Sequence, residues 1–132
     1  MLFIHLPDPD SAGHNYGFES SQYVDTVREH DGMLTEIFNA MLDKGIYSTS
    51  LIIVMSDHAG EGTGHGDYKD LDRWYPWVMV GPCVKNGFDV HSNGRQVNII
   101  DTTPTILYSL GIPVPEGAME GKPLLEAFDT GE

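Results

Sequence analysis

The chain has 132 residues with 7 Lys+Arg against 20 Asp+Glu, a formal net charge of −13. That is enough length for one domain with a core of useful size, and the acidic balance excludes sequence-independent nucleic-acid binding. The lone Cys83 excludes an intramolecular disulfide framework. No apolar run approaches the ~20 residues of a membrane span, and no charged segment precedes Leu2–Leu6, so neither a membrane segment nor a secretory signal is expected on this chain.

Taken in chain order, Leu2-Phe3-Ile4-His5-Leu6 reads as a short buried strand stopped by Pro7. A loop from Asp8 to Gly17 follows, with Gly13 and Gly17 permitting tight turns. From about Ser20 to Lys44, apolar residues from Tyr23 to Leu42 recur at spacings of three and four, which predicts a helix packed on a sheet. Ser20 or Ser21 suits its N-cap and Gly45 its end, while Gly32 in mid-helix implies close packing. Leu51–Met55 is apolar without alternation, as strands buried on both faces are, and predicts a parallel sheet entered by a right-handed crossover. Trp77–Val80, ended by Gly81-Pro82, is a third strand. Thr102–Leu110 reads as a short helix, with Asp101 as its N-cap and Gly111 as its stop. An acidic tail from Glu116 offers a last turn from Pro123 through Phe128. The whole is expected to be α/β, a three-layer α/β/α domain over residues 1–132 with a mainly parallel sheet.

Two carboxylate–imidazole groups lie just beyond the first two apolar runs. In Pro9-Asp10-Ser11-Ala12-Gly13-His14, the imidazole follows the carboxylate by four residues. In Ser56-Asp57-His58, the two types are adjacent, and His65 follows in the glycine-rich Gly60–Gly66 loop. Ligands bind in the crevice outside the carboxyl ends of strands in open α/β sheets, and Asp and neutral His are donors that zinc accepts. A divalent metal site, with room for two ions, is the chemistry these residues imply. Bound cations would also offset the long-range repulsion of an anionic substrate by the net negative charge.

In order and spacing, these motifs and the later Trp77–Pro82 and Asp101–Pro113 segments resemble the alkaline phosphatase superfamily. The nearest branch is the type I phosphodiesterase/nucleotide pyrophosphatase branch, and the resemblance runs over nearly the whole chain. It implies a metal-dependent phosphoester hydrolase using two divalent ions, zinc by preference and manganese or calcium as alternatives, acting through a covalent phospho-enzyme. Asp10, His14 and His65 would hold one ion and Asp57 and His58 the other, with the first three donors about 3–4 Å apart. The family's Thr or Ser nucleophile and a further Asp ligand lie ahead of the Asp10 motif. The chain is therefore expected to be the C-terminal half of a larger catalytic domain, inactive alone, with a small phosphoester as substrate. A sulfatase-like hydrolase is the nearest rival, disfavoured by His58 and by the Asp10–His14 motif. Cofactor-independent phosphoglycerate mutases share the metal scaffold but need an inserted domain. The rival from another class is a non-catalytic metal-binding half-domain. Self-association, as a homo-oligomer or onto the other half, is expected from strands left uncovered.

The remaining polar residues carry weaker expectations. His5 reads as packed in its strand or backing a ligand, and His30 and Asp31 as exposed or helix-packing residues, with the resemblance allowing Asp31 to back a ligand. His91 reads as surface loop. Trp74, Tyr75 and Trp77 read as core or rim aromatics, the first two able to line a pocket, and Tyr16 as able to touch a leaving group.

Overall fold

A computed structural model describes residues 1–66 and 74–129 of the chain. The chain divides into two compact units, residues 1–48 with 53–78 and residues 49–52 with 79–132.

The first unit opens on residues 1–7, which form neither helix nor strand, with Leu2 and Phe3 more than four-fifths exposed. The strand expected over Leu2–Leu6 is thus not formed, and His5 is exposed rather than packed. A strand exists by pairing, and this short apolar run pairs with no other strand among the described residues. The Asp8–Gly17 loop is corrected as well: Asp8–Tyr16 is a helix, α1. Pro7 occupies its N-cap and Pro9 its first turn, where a missing N–H leaves nothing unsatisfied, and Asp8 and Asp10 face the positive end of the helix dipole. Gly17 ends it with φ 98°, as a turn residue should. Gly13, expected in a turn, is helical instead.

Ser21–Asp43 forms α2, within a residue of the span the periodicity predicts. Ser20 caps it, its Oγ accepting from the Tyr23 N–H at 3.1 Å. α1 and α2 are joined by His30, which is buried and bonds Asp8 Oδ2 through Nε2 at 3.1 Å. The open space around Gly32 overturns the close packing expected there. Asp31 is exposed. The stripe on α2 is only part covered, with Val24, Val27 and Leu42 exposed.

Ile52–Met55 forms β1 and Trp77–Val80 forms β2, and the two pair antiparallel in a two-stranded sheet. The Ser56 N–H continues the ladder to the Pro76 carbonyl at 3.2 Å. β1 is half-buried at every position rather than fully buried. The chain is α/β, and β1 delivers Asp57 and His58 directly from its end.

In the second unit, Thr102–Ser109 forms α3. Asp101 precedes it without capping it through its side chain; its carboxylate instead accepts from the Asn98 N–H at 3.0 Å and the Lys122 N–H at 2.8 Å. Thr105 Oγ1 donates to the Asp101 carbonyl and accepts from the Leu124 N–H, so Leu124 is fully buried. Gly121 presses against the Ile100 carbonyl, where no Cβ would fit. The expected last turn contracts to a single 3-10 turn, Leu125–Ala127, and residues 130–132 of the tail lie outside the described residues. His91 lies on an exposed 3-10 turn, as a surface residue. No helix among the described residues is long and apolar enough to cross a membrane.

Candidate metal centre

Because α1 is helical, Asp10 and His14 stand one turn apart on one face, where residues four apart are neighbours. Asp10 Oδ1 lies 3.4 Å from His14 Nε2. The loop that leaves β1 brings in two further imidazoles, with His65 Nε2 at 3.7 Å and His58 Nε2 at 3.8 Å from the same oxygen. His14 and His65 meet at 3.1 Å between their Nε2 atoms, and the His58 and His65 rings stack with centroids 3.8 Å apart. Asp57 is the outlier. Its side chain is 78% exposed, and among the described residues its Oδ2 approaches His58 Nε2, at 3.8 Å. His58 therefore stands equidistant from the two carboxylates.

The backbone fixes which nitrogen of each ring faces inward. His14 Nδ1 lies 2.9 Å from the Thr63 carbonyl, and His58 Nδ1 lies 3.0 Å from the Ala59 carbonyl. A carbonyl only accepts, so each Nδ1 carries a hydrogen, and a ring protonated there alone turns a bare Nε2 lone pair toward Asp10. Backbone carbonyls hold metal-ligating histidines in this way.

The orphaned atom is Asp10 Oδ1. That one oxygen is buried, on a side chain that is 47% exposed, and it has no hydrogen-bond partner among the described residues, although three imidazoles surround it. An unpartnered buried carboxylate oxygen is costly, and lone pairs aimed at it make matters worse. A cation in their midst removes both penalties. Two donors each ~2.0–2.1 Å from a tetrahedral ion stand about 3.3 Å apart. The Asp10–His14–His65 separations of 3.1 to 3.7 Å bracket that value. Asp10, His14 and His65 thus offer three ligand atoms within 4.8 Å of one another and fit a divalent cation.

Phe18 escaped the sequence reading. Its ring sits between Gly13 of α1 and Gly60 of the loop, so close that a Cβ at either would fall 2.5 Å from it. It meets the His14 and His65 rings edge-on, with centroids at 5.8 and 6.3 Å. The signal lay in the two glycines, which are spaces for an aromatic ring rather than turns. Tyr16 and Trp74 are each 61% exposed, and Tyr75 is half-buried.

Residues 1–98 match the family model described as "Type I phosphodiesterase / nucleotide pyrophosphatase", and the chain belongs to that family, within the alkaline phosphatase superfamily. It is 30% identical to arylsulfatase K of Danio rerio over 78% of this chain and 20% of the relative. It is 27% identical to GPI ethanolamine phosphate transferase 3 of Eremothecium gossypii over 87% of this chain and 12% of the relative. It is 28% identical to lipoteichoic acid synthase of Staphylococcus aureus over 77% of this chain and 17% of the relative. The chain spans no more than about a fifth of the length of these relatives. No solved structure matches it.

Proposed function

We propose that this chain carries the metal-ligating part of a phosphoester hydrolase of the type I phosphodiesterase kind, whose whole catalytic domain is a three-layer α/β/α fold with a mainly parallel sheet. The observation that carries the reading is Asp10 Oδ1, buried, unpartnered and ringed by three imidazole nitrogens. Asp10, His14 and His65 hold one ion, and His58 with Asp57 begins a second site that other residues of the domain complete. The ions are zinc, with manganese and calcium as the alternatives to be tried. When bound, they supply positive charge against the oxygens of the transferring group and activate the oxygen that attacks it. The residues of this chain orient the site: Thr63 and Ala59 fix His14 and His58 through their carbonyls, and the i,i+4 spacing holds Asp10 beside His14. The Thr or Ser that takes up the phosphoryl group comes from outside these residues.

Similarity to an arylsulfatase puts sulfate esters on an equal footing with phosphoesters, against the disfavour that the Asp10–His14 motif and His58 suggested. The full-length protein, loaded with zinc, should hydrolyse nitrophenyl phosphodiesters, lose that activity to a chelator, and lose it again in Asp10→Ala. Turnover of nitrophenyl sulfate alone would convert the reading to a sulfatase. Metal-independent turnover of either ester would overturn it. The 132-residue chain by itself should turn over neither.

A further inference from the structure

Resting on the divalent-cation reading above, we infer that Phe18 and Glu19 are positioning residues that clasp the His65 loop onto α1 and so set the spacing of the three ligands before any ion arrives. The loop crosses from β1 to His65 through a tight turn at Glu61–Gly64, closed by reciprocal backbone bonds of 3.0 and 3.2 Å. Gly62 in that turn has φ 60°. The segment just past α1 grips this turn at both backbone polar groups of one residue, Gly62. The Phe18 N–H donates to the Gly62 carbonyl at 2.7 Å. The Gly62 N–H donates back to the Glu19 carboxylate, 3.1 Å from Oε1 and 3.2 Å from Oε2. The Phe18 ring fills the gap between Gly13 and Gly60 and touches both ligand rings.

The consequence reaches the metal cluster through the next residue. Thr63 follows Gly62, and its carbonyl is the group that takes the His14 Nδ1 hydrogen and turns His14 Nε2 inward. Glu19, an exposed residue that bonds the Gly62 N–H rather than a ligand side chain, thereby governs which nitrogen of His14 faces Asp10. Ligands held in place beforehand bind without paying for their ordering, so the clasp acts on affinity.

The test uses the full-length protein with Glu19→Ala and Glu19→Gln. It reads zinc affinity by competition with a chromophoric chelator, and the His14 tautomer by imidazole 15N shifts in metal-free protein. Glu19→Ala should weaken zinc binding by about tenfold or more, in the range found when groups behind metal ligands are removed. It should also shift His14 from the Nδ1–H form toward Nε2–H. Glu19→Gln should match the wild type in both, because its side-chain carbonyl still accepts from the Gly62 N–H. Phe18→Leu, which keeps apolar volume without the ring, should weaken zinc binding in the same direction. An alanine variant indistinguishable from the wild type in both readouts overturns the proposal. So does an equal loss in Ala and Gln, which would mean that charge, not the hydrogen bond, matters. If His14→Ala leaves zinc affinity unchanged, the cation reading has failed, and the metal-free His14 spectrum of Glu19→Ala still decides the clasp.

Discussion

Asp10 in the first unit keeps one oxygen from water on a side chain 47% exposed, Asp101 in the second has a side chain only 7% exposed, and the two are treated in opposite ways. Asp101 is satisfied: two backbone N–H groups donate to its oxygens, and Arg95 stands 3.7 Å away while also bonding Glu126 at 2.8 Å. Asp10 Oδ1 receives nothing and faces three imidazole nitrogens instead. The second arrangement is one a folded chain keeps only if something else completes it. A carboxylate with its partners in place ties segments together; one left without them marks the place of a ligand.

The two aspartates should therefore respond differently to mutation. Asp101→Ala should lower stability by about 3 kcal/mol, because it leaves two backbone donors and part of Arg95 unpaired at a buried site. Zinc affinity per folded molecule should not change. Denaturant unfolding alongside metal titration checks both halves. Asp10→Asn should do the reverse. Zinc affinity should fall by about a hundredfold or more, beyond what groups behind the ligands cause. The metal-free protein should hold or gain about 1 kcal/mol, since the amide can donate to a bare Nε2. A large stability loss in Asp10→Asn without a change in zinc affinity would erase the distinction.

How much of this was legible in the sequence depends on the range of the interaction involved. The α2 span, its Ser20 cap and the strands at Leu51–Met55 and Trp77–Val80 follow from local pattern, and the structure keeps them within a residue or so. Leu2–Leu6 has the composition of a strand but pairs with no other strand among the described residues, which no local pattern reveals. The Asp8–Gly17 loop misled because two glycines, read as turns, outweighed a helix start with prolines at its opening and acids in its first turn. The donor residues themselves were readable from motif order. Phe18 and Glu19 were not, since the gap between Gly13 and Gly60 exists only once α1 and the loop meet.

Smaller effects sharpen the same contrast within the first unit. Asp8→Ala removes the one described partner of His30 Nε2 and should destabilise by about 1–2 kcal/mol, read by thermal unfolding. Zinc affinity should fall only modestly with it, because α1 loses one tie to α2 and keeps Asp10 and His14 on one face. Gly32→Ala, in open space on α2, should stabilise by roughly 1 kcal/mol with no effect on metal binding.

The central claim is that Asp10, His14 and His65 ligate one divalent ion, and zinc-edge X-ray absorption on the zinc-loaded protein tests it most directly. The account predicts a light-atom shell at about 2.0–2.1 Å with the outer-shell scattering of at least two imidazoles, reduced by one imidazole in His14→Ala. A shell without imidazole, or one unchanged by His14→Ala, would contradict it.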